Sequence, residues 1–520
     1  MAKGDAMPDA TARLEVAAPQ TRTREDMARD SERQAPKLPT QEPAGEGPVE
    51  DAGQTRIKPF LPMMRASEYL AYKARPHPGP AFPALGKRNP GGAAAAVAVE
   101  APRAAISLTG PDFDGASDVD GLAPPDTHGA VGTQEFVETT NTHVDIFDKG
   151  NPANRISTPQ AAFFGYFNQT LFDARAVYDS TWNRFILTSD AFPESANVQF
   201  FFIAVSTTPS AAGPYFIYQL NITFNSGDFW DFPQVGMDQD SIIVTANVFD
   251  AQGNFAADMF ALPKAALYNG LGFAVPVFTG LVGTLAPPIV LDNNSSTFLV
   301  AAPPSGSALQ LYTLRDSSRA GVNLSGPVPV AVDPYTMPPP APQPAPCTDP
   351  ADNLDTSDSR FANASTQVGN SLWQVHTINL VGFAAPKFYQ INTATNSIDQ
   401  SSFFFATGTS FDFNASIAAN RDNDVFLNWN TTDPPAGTNV QVRFAGCDHT
   451  AGPCFPGPGT ALFTSPTCIT GDFDPRFGLQ RWGDYSAVTV DPSNTRQAWL
   501  VNEKIDSAAT WGSRIGAIGF

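Results

Sequence analysis

The sequence predicts an all-β fold, and within that class a β-propeller for which seven blades are favoured over six or eight. Apolar strands begin seven times directly after a turn marked by Pro or Asp, at intervals of roughly 50 to 70 residues. Each interval holds several short strands and no helical pattern, which is typical of propeller blades. The seven starts lie near Asp126, Asp173, Asp231, Pro288, Asp358, Asp412 and Asp484.

The composition supports short strands joined by many turns. Among 520 residues there are 40 Gly, 48 Pro and 39 Phe, whereas charged residues make up only 16%. Turn formers and aromatic residues at this density favour sheet over helix. The formal net charge is −20. Binding to nucleic acid needs a basic face, so we expect no nucleic-acid partner.

Three segments follow from shifts in composition. Residues 1–55 contain almost no aromatic residues and are predicted to be disordered, because they cannot bury enough apolar surface. Residues 56–103 alternate prolines with apolar anchors and are predicted to form an extended arm and linker, with one short helix at 63–73. Residues 104–520 are predicted to be the propeller. Its last unit holds only about three strands, so we expect 104–109 to complete that unit and close the ring.

The four cysteines lie in loop stretches of the C-terminal half, which favours two disulfides and an oxidising compartment. Cys447 with Cys454 is the expected local pair, and the alternative is a zinc site that includes His449. No stretch approaches the ~20 apolar residues of a membrane span. The first residues show no apolar signal region. A secreted, extracellular protein is nevertheless expected from the cysteines, either exported by another route or with its signal removed.

Four sequence motifs stand out within the predicted propeller. They are PPDTHGAVG at 124–132, DARAVYD at 173–179, DSRFANAS at 358–365 with LWQVHT at 372–377, and RWGDYS at 481–486. In these motifs the chain resembles a family of secreted, mostly bacterial proteins, the sialidase-like (BNR-type) β-propellers, most of which have no assigned activity. The resemblance covers about residues 120–520 and implies a propeller fold. The chain lacks the Ser-x-Asp-x-Gly-x-Thr-Trp turn that marks true sialidases.

Arginines near the strand starts are the candidate catalytic residues. Arg175, Arg360 and Arg481 could hold a carboxylate or sulfate with paired hydrogen bonds. A sialidase-like mechanism would add Tyr485 as nucleophile and Asp484 as its carboxylate partner, with Tyr178 and Glu503 as alternatives. The competing interpretation is structural: each Asp–Arg pair ties neighbouring blades together near the hub, and each Asp caps backbone amides at its turn.

Further polar residues near the hub are candidate binding residues. Asp173 and Arg175 stand at i and i+2, so on a regular strand they would share a face. Asp358 and Arg360 repeat this spacing. The candidate binding residues are Asp126, His128, Asp173, Asp231, Asp358 and Trp482.

An acidic stretch, DFDGASDVDG at 112–121, offers hard oxygen ligands close together. Calcium would suit such ligands, although the spacing is not that of an EF-hand, and a solvated acidic turn is the alternative. The candidate metal ligands are Asp112, Asp114, Asp118 and Asp120.

These observations leave three hypotheses for function. The leading one is an extracellular binding or scaffold protein that holds a glycan or another polymer at the hub. The second is a sialidase-like glycoside hydrolase with an arginine-lined site. The third is a structural subunit of a surface assembly that binds a partner protein through the N-terminal arm.

Overall fold

The computed structural model describes residues 8, 10–33, 106–119, 121–250, 255–319, 321–474 and 478–520, and these residues fold into a nearly all-β structure. The predicted linker and helix at 56–103 lie outside this range. The first elements are β1 (Ala12–Val16), β2 (Gln20–Arg22), α1 (Arg24–Asp30) and β3 (Ser107–Ser117).

The chain from residue 128 onward forms consecutive antiparallel units, numbered I to VII, in which each strand pairs with the next. Unit I contains β4 (His128–Val131), β5 (Glu135–Thr139), β6 (His143–Asp148) and β7 (Arg155–Pro159), followed by α2 (Gln160–Phe164). Unit II contains β8 (Leu171–Asp179), β9 (Arg184–Ala191), β10 (Phe200–Ser206) and β11 (Tyr215–Asn221). Unit III contains β12 (Phe229–Met237), β13 (Ser241–Phe249), β14 (Phe255–Pro263), α3 (Lys264–Leu267) and β15 (Phe273–Leu281).

Units IV to VII complete the series. Unit IV contains β16 (Pro288–Val290), β17 (Thr297–Ala301), β18 (Gly306–Arg315) and β19 (Asn323–Tyr335). Unit V contains β20 (Ser365–Val368), β21 (Ser371–Leu380), β22 (Phe383–Asn392) and β23 (Ser397–Phe403). Unit VI contains β24 (Phe411–Ala419), β25 (Val425–Asp433), β26 (Thr438–Cys447) and β27 (Thr460–Thr464). A short hairpin of β28 (Phe473–Asp474) and β29 (Leu479–Gln480) precedes unit VII, which contains β30 (Ala487–Val490), β31 (Gln497–Ser507) and β32 (Thr510–Gly519). Single 3₁₀ turns lie at Pro350–Asp352, Pro434–Ala436 and His449–Ala451.

The first strands of the units stand side by side around a common centre. Each of them contacts the first strand of the next unit, and β30 of unit VII contacts β4 of unit I. In the middle of this series β16 pairs in parallel with both β12 and β20. The seven strand starts predicted from the sequence therefore correspond to the seven inner strands, although the inner strand of unit V begins at Ser365, seven residues after Asp358.

Unit VII takes its fourth strand from the N-terminal side of the chain, as predicted. β3 pairs antiparallel with β32, from Ser107 opposite Gly519 to Ser117 opposite Gly512. The pairing extends well beyond the predicted 104–109, and residues 104 and 105 lie outside the described part. The hydrogen bonds and apolar contacts of this strand join the two ends of the series of units.

The N-terminal segment is not disordered throughout, in contrast to the expectation for residues 1–55. β1 pairs with β15 at the outer edge of unit III, and β2 pairs with β11 at the outer edge of unit II. Thr23 and Asp26 form a capping box at the start of α1. Few apolar residues are enough here, because the open edges of two sheets supply the backbone hydrogen bonds.

The core lies between the units, where their apolar faces pack against one another. Six tryptophans are buried in these interfaces or beside the hub: Trp230, Trp373, Trp429, Trp482, Trp499 and Trp511. They therefore pack as core residues. Trp182, in the turn between β8 and β9, is exposed.

Two disulfides join the four cysteines, as predicted, and this excludes the zinc alternative, because zinc binding needs free thiolates. Cys447 pairs with Cys454, the expected local partner, and Cys347 pairs with Cys468, which lies 121 residues further along the chain. None of the helices in the described part of the chain is long and apolar enough to cross a membrane.

Candidate functional site at the hub

The inner strands begin with a repeated backbone feature. Near the start of six of them one residue other than Gly has a positive φ, which an L residue adopts only when its surroundings hold it there. In units II, III and VI this residue lies at a bulge where the pairing register shifts. The six residues are Asp126, Asp173, Phe232, Thr284, Ser357 and Asn414.

Side chains of the preceding unit hold these strained residues. The amide of Asp173 donates to the Asn141 side chain at 2.8 Å, and the amide of Thr284 donates to the Asn247 side chain at 2.7 Å. The Asp173 carboxylate in turn accepts from the amide of Phe232 at 3.1 Å. The strand starts are therefore joints between neighbouring units, and this supports the structural interpretation of the repeated aspartates.

The Arg175 side chain reaches across the hub and contacts other units. Its side chain donates to the carbonyl of Pro233 in unit III at 2.8 Å and to the carbonyl of Ala362, before unit V, at 3.1 Å. Its guanidinium lies 3.2 Å from the centre of the Tyr485 ring, and the Tyr485 hydroxyl donates to Asp173 at 2.6 Å. Because Asp173 sits in a bulge with positive φ, the expectation that Asp173 and Arg175 share a face of a regular strand does not apply.

The other two candidate arginines also face carboxylates of the protein. Arg360 forms a two-pronged ion pair with Asp358 at 2.7 Å and donates to the Thr284 hydroxyl at 3.2 Å. The buried Arg481 lies 3.9 Å from Asp355 and 3.7 Å from Asp484. The three arginines lie around the same end of the hub, and each is engaged by the protein itself.

Carboxylates crowd this end of the hub and repel one another. Burial and the neighbouring Asp484 raise the pKa of Asp126 well above its ordinary value. Burial, followed by Asp173 and Asp484, raises the pKa of Asp231 in the same way. The pKa of Asp173 rises to about 6 for the same reasons. Burial also raises the pKa of Glu503, one of whose oxygens accepts from the amide of Gly483 at 2.6 Å. Burial and mutual repulsion therefore favour the protonated form of each of these groups.

Tyr485 is a poor candidate for a nucleophile in this arrangement. The side chain is fully buried beneath Arg175, and burial together with Asp173 raises the pKa of its hydroxyl well above the ordinary value. Formation of the phenolate is thereby opposed. Trp482 is also buried and donates to the Asn430 side chain at 3.1 Å. A small cavity of about 380 Å³, including the part open to solvent, lies between the 355–362 loop and Trp482 and is bordered by Arg360 and Asp484.

A larger cavity of about 1160 Å³, including the part open to solvent, occupies the other end of the hub, where the inner strands finish. Its wall is mainly apolar, and every unit contributes to it, unit V through Ser365 and Thr366. Apolar residues of the wall include Val131, Val177, Met237, Ile289, Ile417 and Val488, together with Ala364, which directly precedes unit V. His128 lies at the inner end of this cavity, between the apolar wall and Arg175.

Sequence reasoning placed the site at the strand starts and missed these wall residues. The alternation of a strand shows which residues share a face, but it does not distinguish an apolar residue that faces a channel from one that packs in the core. Charged residues at the rim include Lys264 and Asp179, which form a buried ion pair at 2.6 Å. The motifs at 124–132, 173–179, 358–365 and 481–486 each contribute residues to this cavity, although nothing in their residue types distinguishes the residues that line it.

The acidic stretch proposed for calcium lies mostly on β3. Arg514 pairs with Asp112 and with Asp114, and Lys504 lies 3.3 Å from Asp114. The carboxylate of Asp118 accepts from the amide of Gly121, and Asp120 lies outside the described residues. A cation would compete with two protein cations here, and calcium binding stays a prediction.

Asp424, Asp448 and His449 also approach one another closely enough to suggest a metal site. Arg496 occupies the space between the two carboxylates, since it donates to Asp448 at 2.9 Å and to Asp424 at 3.4 Å. His449 lies 2.7 Å from Asp424. The group forms an ion-pair network beside the Cys447–Cys454 disulfide.

No family model matches the chain, and no curated protein does. Several solved structures are similar in shape. A protein of unknown function from Dyadobacter fermentans is 9% identical, with a TM-score of 0.37, over 81% of this chain and 99% of its own. An exo-β-1,3-galactanase from Phanerochaete chrysosporium, solved with galactose, is 10% identical with a TM-score of 0.30, over 80% and 96%. The exo-β-1,3-galactanase of Clostridium thermocellum is 9% identical with a TM-score of 0.30, over 65% and 76%. Likeness at this level carries no argument about activity.

Proposed function

We propose that the protein is an extracellular, seven-bladed β-propeller that acts as a binding or scaffold protein and holds its ligand in the wide end of the central channel. Units I to VII are the blades in this proposal, and the pairing of β3 with β32 closes the ring. The two disulfides support an oxidising compartment outside the cell. A glycan or another polymer is the proposed ligand class.

One observation carries this proposal: the groups that a glycosidase would need are already engaged within the protein. Arg175 and Arg360 donate to protein carbonyls and carboxylates, and Tyr485 is buried beneath Arg175. A substrate carboxylate would have to displace Asp358 from Arg360, with the loss of a buried ion pair. The larger open space lies at the opposite end of the channel, where the wall is mainly apolar and Arg421 is the one arginine among the described residues that line it.

The rival proposal is the sialidase-like hydrolase, and one experiment separates the two. The full chain is incubated with immobilised sialylated, acidic and neutral polysaccharides, and both retained protein and released sugar are measured. We expect retention without release. Release of sugar that is lost in Arg360→Ala, with the fold intact by circular dichroism, would overturn the binding proposal.

The position of the site is tested by closing the channel. Val490 lines the wide end and Val381 lies in the exposed turn between β21 and β22, at the opposite end of the units. We expect Val490→Arg to weaken retention at least tenfold, because it places a long cation in the apolar channel. Val381→Arg is the matched control and leaves retention unchanged. Equal retention by both variants would show that the ligand is held elsewhere.

A further inference from the structure

His128 was predicted as a binding residue from its position in the turn at 126–129, and the structure places it at the closed end of the wide cavity. The side chain is 8% exposed and borders the cavity. Its Nδ1 atom accepts a hydrogen bond from the amide of Ala176 at 3.2 Å. Among the residues that the structure describes, its Nε2 atom has no hydrogen-bond partner.

The contact with Ala176 fixes the tautomer of the ring. A neutral imidazole has one nitrogen that donates and one that accepts, and Nδ1 must accept here because an amide N–H points at it. The proton therefore lies on Nε2. Burial, and the adjacent charge of Arg175, lower the pKa of His128 well below its ordinary value, so the ring stays neutral near pH 7. The cavity thus has a fixed N–H donor at its inner end.

The neighbouring polar groups at this end are largely satisfied. The Asn363 side chain donates to the carbonyl of Ala415 at 3.1 Å, and the Ser486 hydroxyl donates to the carbonyl of Asn414 at 3.0 Å. Beyond them the wall is mainly apolar, and charged residues such as Lys264 and Asp179 lie at its rim. The chain of unit VI runs along the cavity for five residues, from Ser416 to Asn420, and the four steps between them give a depth of about 13 Å at the usual rise of a strand.

The apolar wall selects against ions. A charged group that leaves water for the channel loses hydration that the wall does not replace, and Arg175 is already engaged by the carbonyls of Pro233 and Ala362. An ammonium group would in addition face the N–H of His128 and the guanidinium of Arg175, neither of which can accept a hydrogen bond. A neutral acceptor, such as a carbonyl or hydroxyl oxygen, avoids both penalties.

We propose that the channel binds an uncharged ligand segment with an apolar chain, whose terminal carbonyl or hydroxyl oxygen accepts a hydrogen bond from Nε2 of His128. The inference rests on the proposed binding function, since it uses the same channel. It narrows the ligand to a molecule or polymer branch that carries an alkyl or acyl chain with a neutral oxygen at its end.

The test is calorimetric titration of the full chain with 1-octanol, octanoate and octylammonium. We expect 1-octanol to bind, and the two ions to bind at least tenfold more weakly. Val490→Arg is expected to abolish binding of 1-octanol, and Val381→Arg to leave it unchanged. His128→Phe keeps a ring and removes the donor, so it is expected to weaken binding about 3- to 10-fold, the value of one hydrogen bond.

A second readout covers the case in which His128→Phe fails to fold, since the change also leaves the amide of Ala176 without its acceptor. With ¹⁵N-labelled histidine in the unaltered chain, 1-octanol is expected to shift one protonated Nε2 resonance. Binding that is sensitive to Val490→Arg but leaves this resonance unmoved, or octanoate that binds as tightly as 1-octanol, would overturn the inference alone. If Val490→Arg changed neither the binding of 1-octanol nor the retention on polysaccharides, the proposed function itself would be overturned.

Discussion

The two disulfides are expected to stabilise the protein very unequally. Cys347 and Cys468 are separated by 121 residues, whereas Cys447 and Cys454 are separated by 7. If a disulfide acts mainly by restricting the unfolded chain, the longer loop is worth about 5 kcal/mol and the shorter about 2.4 kcal/mol at 25 °C. Removal of the long-range bond as a pair of Cys→Ala changes is therefore expected to cost about 2.5 kcal/mol more than removal of the local one.

The assay is urea unfolding followed by tryptophan fluorescence, with the two double alanine variants compared with the unaltered protein. Both cysteine pairs are mostly buried, so the lost side-chain contacts are similar in kind, and the local pair serves as the control. The expected order of midpoints is unaltered protein, then the variant without Cys447–Cys454, then the variant without Cys347–Cys468. The reverse order, or equal losses, would refute the argument from loop length.

Three further outcomes are expected. Burial and Asp145 raise the pKa of Glu138 to about 7. Between pH ~4.5 and about 7, Glu138 therefore keeps its proton in the folded state but loses it in the unfolded state. This linkage contributes about 3 kcal/mol to the free energy of unfolding below pH ~4.5, and the contribution is lost as the pH rises to about 7. Glu138→Gln is expected to flatten that part of the pH profile of urea unfolding, and an unchanged slope would contradict this. Arg360→Met leaves the buried Asp358 without its cation and is expected to cost about 3–5 kcal/mol in the same assay; a gain in stability would instead favour a ligand-binding role. Deletion of residues 1–33 is expected to lower the melting temperature, since it strips two paired strands from sheet edges, and an unaltered melting curve would mean that these strands contribute nothing.

Features that depend on residues close together in the sequence could be predicted from it. The inner strands are marked by turn residues followed by apolar alternation, so six of the seven predicted starts fall within three residues of the first residue of an inner strand. Unit V was placed less well, because the residues from 355 to 364 form a loop between the Asp–Arg motif and Ser365. The pairing of Cys447 with Cys454 could be predicted from their proximity, whereas nothing local connects Cys347 to Cys468.

The contacts that define the hub are distant in sequence. Arg175 was recognised as a hub residue, but its partners at Pro233 and Ala362 lie 58 and 187 residues away. Whether an arginine is available to a ligand depends on such contacts, and no spacing rule contains them. The strands β1 and β2 were missed for a related reason. Composition indicates how much apolar surface a segment can bury, but it does not indicate that the open edge of a distant sheet will form backbone hydrogen bonds with that segment.

The strand that completes unit VII has a consequence for biosynthesis. β3 and its partner β32 are about 400 residues apart, as the bond between Asp114 and Arg514 illustrates. On the ribosome β3 emerges long before β32 exists, so the nascent chain must carry an unmatched strand while the six intervening units are made. The pairing of β3 with β32 is therefore a late step of folding. Chaperones that shield exposed strands would act between the synthesis of β3 and the synthesis of β32.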